Sequence, residues 1–371
     1  MKIRWLVFAG VLVMAVSLFK ACSTPEQKFY NTGMAGSAAA SNLWEIAKMY
    51  LRTERKAPSP TAPLPLRQIP AGELSAPGDQ ATVYRLGHSS ILIQLDGHTV
   101  LTDPVFSDRA SPVQWAGPKR FHPLPFALDD LPTITAVVIS HDHYDHLDRD
   151  SLLALDNKVG TYLVPLKVGN HLRRWGIADD KIVELDWWQS HRIASLQFTA
   201  TPAQHFSGRG LSDRDETLWA SWAIKGQGGN LFFSGDSGYF GGFREIGERL
   251  GPFDLTLIET GAYNLLWSKV HMLPEQSVQA HLDLKGRAML PIHNSTFDLA
   301  LHDWFEPLER AAAAAWERNV TLLTPIMGTQ VTVQQPGKTA FWWRDEAEPA
   351  LLEAALAGAE QDAAALKARQ R

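Results

Sequence analysis

The chain has 371 residues, of which 45% are hydrophobic and 20% are charged, a composition typical of a globular protein with one large core or two modest ones. Its 35 basic and 40 acidic side chains give a formal net charge of −5. The sequence predicts that nucleic acid is not a partner, because such partners usually require a basic stripe and there is no long Lys or Arg run.

The N-terminus has the layout of an export signal. Two basic residues precede a fifteen-residue uncharged apolar run, residues 5–19, and Cys22, the only cysteine, stands where that run ends. The arrangement resembles the acylation site of bacterial lipoproteins, with Ala21 in a suitable position and Lys20 in an unfavourable one. It predicts a lipid-attached Cys22 and a place in a bacterial cell envelope, membrane-anchored and facing the periplasm. The alternatives are an ordinary signal peptide, an uncleaved anchor or a buried segment that is short for a spanning helix.

After the signal segment, residues 1–22, composition divides the chain into three parts. Residues 23–80 are rich in small residues, Pro and Gly, and predict a tether and linker with one short helix in SNLWEIAKMYLRTERK. Residues 81–345 predict the folded domain. Residues 346–371 are Ala-rich and charged, and predict an exposed or loosely docked helix without a chemical role.

From residue 81 onward, short β-branched or apolar runs are separated by turn residues and helical stretches. The predicted strands are 81–86, 90–95, 98–103, 134–140, 160–165, 181–185, 192–202, 218–224, 230–235, 254–259 and 287–292. Helices are predicted near 148–156, 238–250, 274–284 and 305–318. Two groups of strands bordered by helices predict an α/β fold in which two sheets pack face to face with helices outside.

The stretch SHDHYDHLD, residues 140–148, places three histidines and three aspartates directly behind a predicted buried strand. His141 and His143 are two residues apart, so an extended backbone would aim both side chains the same way. Asp145 and His146 lie beyond a turn and can face a second point nearby. The geometry predicts half of a two-metal site, for which imidazole and carboxylate ligands suit zinc.

Further ligands are expected at other strand ends. His205, Asp236 and His293 are each a lone His or Asp just past a predicted strand, at the rim where the loops of active sites gather. Asp142 is expected to occupy a variable position of the motif, and Asp148 to cap the following helix.

The pattern H-x-H-x-D-H, followed by a His, an Asp and a final His, resembles the metallo-β-lactamase-fold hydrolases. LGHSS, LTDPVFSDRASPVQWAGPKR, TPAQHF, SGDSGY and IETGAYNLLW further resemble the branch of N-acyl-phosphatidylethanolamine-hydrolysing phospholipases D, over roughly residues 83–307. The resemblance implies an αββα sandwich of two mixed β-sheets flanked by helices, with two Zn²⁺ per chain. It assigns one ion to His141, His143 and His205, the other to Asp145, His146 and His293, and the bridge between them to Asp236.

The resemblance implies metal-assisted hydrolysis of a phosphodiester in N-acyl-phosphatidylethanolamine or a related glycerophospholipid, which gives phosphatidic acid and the N-acylethanolamine. The expected partners are the phospholipid and a membrane surface reached through the N-terminal anchor, and a homodimer is a further option. Catalytic roles are expected for Asp236, Asp145 and His271, the last in substrate binding or proton handling unless it is a structural loop residue. His88 and Asp103 are expected to orient the ligands through hydrogen bonds.

Three features leave the substrate open. Where the branch typically has His-Trp-Gly-Thr-Phe, residues 293–297 read HNSTF, and Phe206 stands in place of Trp; both changes are expected on the substrate side. The aromatic pair in DWWQSH predicts core packing, with a lipid-facing wall as the alternative. The alternative functions are another ester, lactone or phosphodiester hydrolase, such as an ascorbate-6-phosphate lactonase type, a non-catalytic metal-binding envelope lipoprotein, and a nucleic-acid-processing enzyme.

Overall fold

The computed structural model describes residues 28–32, 48–49, 52–75, 78, 80–337 and 340–369. The predicted export signal, Cys22 and most of the predicted short helix lie outside these residues. Within the described part of the chain, no helix is both long enough and apolar enough to cross a membrane.

Strands dominate the described chain up to residue 332. They are β1 Thr82–Gly87, β2 Ser90–Leu95, β3 His98–Thr102, β4 Ile134–Val138, β5 Val159–Pro165, β6 Ile182–Leu185, β7 Ser190–Ile193, β8 Leu196–Thr201, β9 Ser221–Lys225, β10 Asn230–Phe233, β11 Phe253–Glu259, β12 Gly286–Ile292, β13 Thr321–Leu322 and β14 Gln330–Thr332. The helices are α1 Ala71–Ser75, α2 Arg149–Leu155, α3 Gly169–Arg174, α4 Gly242–Arg249, α5 Pro274–Asp283, α6 Glu306–Glu317 and α7 Pro349–Arg369.

In the described part of the chain, the strands form two mixed sheets of seven strands each. The first has the order β14-β1-β2-β3-β4-β5-β6 and the second the order β13-β12-β11-β10-β9-β8-β7. In each sheet one half is antiparallel and the other half, β3 to β6 or β10 to β13, is parallel. The carboxyl ends of the parallel strands therefore meet at one edge of each sheet.

Side-chain alternation along the strands explains the layers. In β2, Ile91 and Ile93 lie in the core between the two sheets, whereas Leu92 lies in a second core on the outer face of the first sheet. Leu152 of α2 and Leu172 of α3 complete that outer core. Helices α4, α5 and α6 cover the other sheet in the same way, so the predicted αββα sandwich is confirmed.

Two predicted elements differ in detail. The run 192–202 is a hairpin rather than one strand, because Ala194 adopts a left-handed φ of +51° and turns the chain between β7 and β8. Trp187 packs partly buried against the core between the sheets, and its Nε1 donates to the carbonyl of Trp219 at 2.6 Å. This packing agrees with the core interpretation of the aromatic pair and not with a lipid-facing wall.

The Pro-rich segment that composition assigned to a linker packs on the folded domain. Leu64, Ile69 and Leu74 are at most 6% exposed, and the last two lie in the outer core of the first sheet. Arg67 N–H donates to the carbonyl of Met327 at 2.9 Å. Proline restricts the backbone to extended forms without preventing burial of the apolar side chains between the prolines. Domain packing therefore begins before residue 81.

The predicted C-terminal helix is α7. It docks on α6, where Arg310 Nη1 lies 2.8 Å from Asp362 Oδ2 and the buried Ala355 joins an aromatic and apolar cluster.

The predicted cap of α2 is also present, since the Asp148 carboxylate accepts from Asp150 N–H at 3.3 Å.

Packing of the Pro-rich segment predicts that Leu74→Ala lowers the free energy of unfolding by about 2 to 5 kcal/mol, because it deletes a fully buried side chain. Denaturant unfolding of the purified protein measures this change. Leu211→Ala is the control: Leu211 is 100% exposed, so its loss should change stability by less than about 0.5 kcal/mol. Equal denaturant midpoints of unfolding for the two variants would mean that the Pro-rich segment is a free linker.

Candidate metal centre

The site lies where strands from both sheets end. The motif that begins with His141 follows β4 of the first sheet. His205, Asp236 and His293 follow β8, β10 and β12 of the second sheet. All seven predicted ligands thus come from strand ends on one edge of the sandwich, and all of them except the partly exposed His143 and Asp145 are buried.

One carboxylate oxygen lies at the centre of this group. Asp236 Oδ2 is within 4.0 Å of ring nitrogens from five histidines, at 3.1 Å from His293, 3.2 Å from His146, 3.8 Å from His205, 3.9 Å from His141 and 4.0 Å from His271. This is the position required of a ligand shared by two ions.

Two groups of ligand atoms flank Asp236. In the first, His143 Nδ1 lies 2.8 Å from His141 Nε2 and 3.2 Å from His205 Nε2. In the second, Asp145 Oδ2 lies 3.1 Å from His88, 3.2 Å from His293 and 3.5 Å from His146. Apart from His88, the members of the two groups are those that the family resemblance implied for the two ions.

The donor set fits divalent cations. His146 Nε2 and Asp236 Oδ1 are buried without a hydrogen-bond partner, and His146 Nε2 lies 3.2 Å from Asp236 Oδ2. Imidazole nitrogens that converge within 3.2 Å can share few protons, and a cation among them would satisfy all of them at once. The atoms of each group lie within 4.8 Å of one another, close enough to coordinate a single ion.

Electrostatics favours the ligand forms of several groups. Burial lowers the pKa of His141 and of His205 well below the ordinary value, which keeps their rings neutral. Burial by itself would raise the pKa of Asp236, but His146 and His293 hold that pKa well below its usual range. Although burial also opposes it, Asp236 and Asp145 raise the pKa of His146 well above its usual range. A bound cation would replace such protons as the counter-charge of the two carboxylates.

Hydrogen bonds behind the ligands fix which ring nitrogen faces the centre. Asp103, fully buried, accepts from His146 Nδ1 at 2.6 Å and from Ser140 N–H at 2.7 Å, so Nε2 of His146 is left for a metal. The carbonyl of Val270 lies 2.9 Å from His205 Nδ1 and does the same for His205. Asp103 thus occupies the predicted orienting position.

His88 lies closer to the centre than predicted. Its Nε2 contacts Asp145 Oδ2 directly, and its ring centroid is 4.1 Å from that of His293. It belongs to one compact group with Asp145, His146 and His293, and could itself hold an ion. From the sequence, His88 was expected to orient the ligands from behind. A histidine in a turn gives no local indication of how close it lies to the ligands, so its direct contact could not be predicted.

Left-handed backbone occurs at three residues of the centre. His88, Asp103 and His293 have φ values of +50°, +33° and +64°. Such conformations cost energy outside glycine and persist where the surroundings enforce them. His293 N–H donates to the carbonyl of His88 at 3.1 Å, and His88 N–H donates to Thr296 Oγ1 at 2.7 Å. The two turns therefore hold each other in place.

The substrate-side interpretation of the HNSTF change is corrected at Asn294. Asn294 is 4% exposed, and its Oδ1 accepts from Arg85 Nη2 at 2.6 Å inside the protein. Phe206 does lie at the site, with its ring centroid 4.6 Å from that of His143. The buried polar pair of Asn294 and Arg85 thus has a structural role that the sequence could not indicate.

Two acidic residues of the centre were missed from sequence. Glu259, the last residue of β11, is fully buried; its Oε1 hydrogen bonds with His271 Nδ1 and its Oε2 accepts from Ser237 N–H at 2.7 Å. His271 is thereby held beside Asp236. Position at a strand end, the signal used for the ligands, could have identified Glu259.

Asp142 is the second acidic residue whose role was missed from sequence. It joins the metal motif to the loop after β8, accepting from Gly208 N–H at 2.8 Å and Thr217 Oγ1 at 2.9 Å.

Comparison with known proteins places the chain in a family. Residues 98–294 match the family described as Beta-lactamase superfamily domain. The N-acyl-phosphatidylethanolamine-hydrolyzing phospholipase D 1 of Caenorhabditis elegans is 37% identical over 260 residues, which are 67% of this chain and 73% of that protein. The chain belongs to the metallo-β-lactamase superfamily. The predicted resemblance to this superfamily and to its phospholipase D branch is confirmed, and the chain is a metal-dependent hydrolase.

Other proteins are also similar to this chain. An uncharacterized protein of Mycobacterium tuberculosis is 48% identical over 308 residues, covering 81% of this chain and 80% of that protein. The solved isothiocyanate hydrolase from Delia radicum gut bacteria superposes with a TM-score of 0.55 at 17% identity, over 68% of this chain and 98% of that one, and shares the fold. Outer membrane protein RomA of Klebsiella pneumoniae is 48% identical over 102 residues, 27% of this chain and 76% of that protein.

The Asp103 contact yields a prediction for this superfamily member. Asp103→Asn should weaken metal binding by about 10 to 100-fold, because the amide orients His146 less firmly and does not raise its basicity. Competition with a chelator measures the affinity. Asp96→Asn is the control, since the Asp96 carboxylate accepts from Gln227 and Gly228 N–H groups at the opposite edge of the sandwich. Unchanged affinity in Asp103→Asn would contradict the orienting role.

Proposed function

We propose that the chain is a dinuclear zinc phosphodiesterase of the phospholipase D type, acting on N-acyl-phosphatidylethanolamine or related glycerophospholipids. The observation that carries the proposal is the pair of ligand groups on either side of Asp236 Oδ2. A single structural ion closes its shell with four ligands, whereas this centre offers seven or more. Similarity to the C. elegans phospholipase D supports the choice of substrate.

Each ligand has a proposed place. His141, His143 and His205 would hold one ion, Asp145, His146 and His293 the other, and Asp236 would bridge them. When bound, the ions would supply Lewis acidity, which acidifies water and stabilises negative charge on phosphoryl oxygens. Asp236 Oδ1, which is buried without a partner, is available to accept a hydrogen bond from the attacking water and orient it.

The proposed reaction releases phosphatidic acid and the N-acylethanolamine. The water oxygen forms a bond to phosphorus while the bond from phosphorus to the ethanolamine oxygen breaks, and that oxygen takes the proton that the water gives up. His271 is the residue placed to manage this proton, because Glu259 engages its Nδ1 and leaves Nε2 free. Phe206, beside His143, offers an apolar surface to a lipid at the rim.

The proposal includes a location at a bacterial envelope, with the chain attached through an acylated Cys22 and facing the periplasm. The similarity of a 102-residue stretch to an outer membrane protein supports it. Tethering at a bilayer would raise the local concentration of a phospholipid substrate.

Lipid turnover tests the proposed substrate. Purified protein with zinc should release N-acylethanolamine from N-acyl-phosphatidylethanolamine vesicles at least tenfold faster than it releases choline from phosphatidylcholine or opens a small lactone. Mass spectrometry of the products identifies phosphatidic acid and the amide alcohol. Faster opening of the lactone would favour the ascorbate-6-phosphate lactonase type, and zinc-loaded protein without lipid turnover would reject the phospholipase proposal.

Metal content tests the dinuclear centre separately from the substrate. Wild type should bind about two zinc ions per chain, and Asp236→Asn should lose one ion and reduce turnover by more than 100-fold, because a neutral amide bridges cations poorly. Asp283→Asn is the control, since its carboxylate accepts from Tyr239 in the outer helical layer. One tightly held ion in wild type, with no turnover of any substrate, would instead indicate a non-catalytic metal-binding protein.

A further inference from the structure

Residues 28–31, which composition assigned to a tether, lie against the loop that carries His205. This loop, residues 202–220, connects β8 to β9. Two contacts join the segment to the far part of the loop: Lys28 Nζ donates to the carbonyl of Arg214 at 2.8 Å, and Phe29 N–H donates to the carbonyl of Asp215 at 2.9 Å. The segment is therefore hydrogen-bonded to the folded domain.

Asn31 makes the closest connection. It is 6% exposed, and its Nδ2 donates to the carbonyl of His205 at 2.8 Å. His205 N–H donates back to Asn31 Oδ1 at 2.9 Å. The same Oδ1 accepts from Trp219 Nε1 at 3.0 Å. One amide side chain thus holds both backbone groups of His205 and a residue at the other end of the loop.

This contact meets a need of the His205 backbone. His205 is fully buried but lies four residues beyond the end of β8, so the strand ladder does not pair its N–H and C=O groups. Buried backbone groups require partners. The Asn31 amide, with one donor and one acceptor side by side, supplies both as a neighbouring strand would.

We propose that Asn31 is a positioning residue of the metal centre. It fixes the backbone of His205, while the Val270 carbonyl fixes the ring through Nδ1. Together these contacts hold His205 Nε2 at 3.2 Å from His143 Nδ1 and 3.8 Å from Asp236 Oδ2. The inference rests on the proposed metal centre, because its measured consequence is metal affinity. It makes the N-terminal segment part of the site rather than a spacer before it.

The role has a consequence for the proposed lipid attachment. Cys22 lies nine positions before Asn31, and a fully extended chain spans at most about 32 Å over nine residue steps. An acylated Cys22 would therefore keep Asn31, and the His205 backbone that Asn31 contacts, close to the bilayer. The segment would tether the chain and also hold a ligand of the centre.

Zinc affinity of the full-length chain, measured by chelator competition, tests the proposal. Asn31→Ala should bind one of the two ions about 10 to 100-fold more weakly, as happens when outer partners of metal ligands are removed. Asn31→Asp should also weaken binding, because it keeps the acceptor for His205 N–H and Trp219 Nε1 but replaces the donor with a carboxylate oxygen that repels the His205 carbonyl. Asn230→Ala is the matched control: its Nδ2 donates to the carbonyls of Leu250 and Pro252, away from the centre, and affinity should not change.

Hydrogen exchange of the zinc-free protein gives a readout that does not depend on metal. The peptide containing the His205 amide should exchange at least tenfold faster in Asn31→Ala than in wild type or Asn230→Ala. Wild-type affinity and wild-type exchange in Asn31→Ala would overturn the inference while leaving the metal centre intact. A wild-type chain that binds no zinc would overturn the proposed function and this inference with it.

Discussion

The structure is organised around two carboxylates, Asp145 and Asp236, that lie among histidines at one edge of the sandwich. A carboxylate with little access to solvent is costly unless positive charge compensates it, and among the described residues only imidazole rings lie close enough to these two. The rings can supply protons or hold cations in their place. Membership of a metal-dependent hydrolase superfamily indicates which of these the site is built for.

This requirement accounts for much of the surroundings. For several ring nitrogens to converge on one oxygen, the orientation of each ring must be fixed by a hydrogen bond to its other nitrogen or to its backbone. Asp103 does this for His146, the Val270 carbonyl for His205 and Glu259 for His271. The left-handed turns at His88 and His293 bring two further rings into the group, and their mutual hydrogen bond offsets the backbone strain.

The sandwich makes such a group feasible because each sheet contributes ligands that the other lacks. The first sheet delivers the dense motif after β4, and the second delivers single residues after β8, β10 and β12. The shared core between the sheets, with Ile91 and Trp222 among its members, keeps the two edges in register. Of the two positions that differ from the phospholipase D branch, Phe206 lies against the ring of His143, whereas Asn294 points into the protein toward Arg85.

The sequence by itself determined the fold class and the candidate ligands, because hydrophobic alternation records which face of a strand is buried and a strand end is a local feature. It also determined the cap of α2, because the contact between Asp148 and Asp150 N–H lies within three consecutive residues. Only the tertiary structure decided the roles of Glu259, Asp142 and Asn31 and the burial of Leu74. Asn31 and His205 are 174 residues apart, and no local pattern records a partner at that distance. The sequence around Asn31 would read the same whether its side chain were exposed to solvent or held a metal ligand in place.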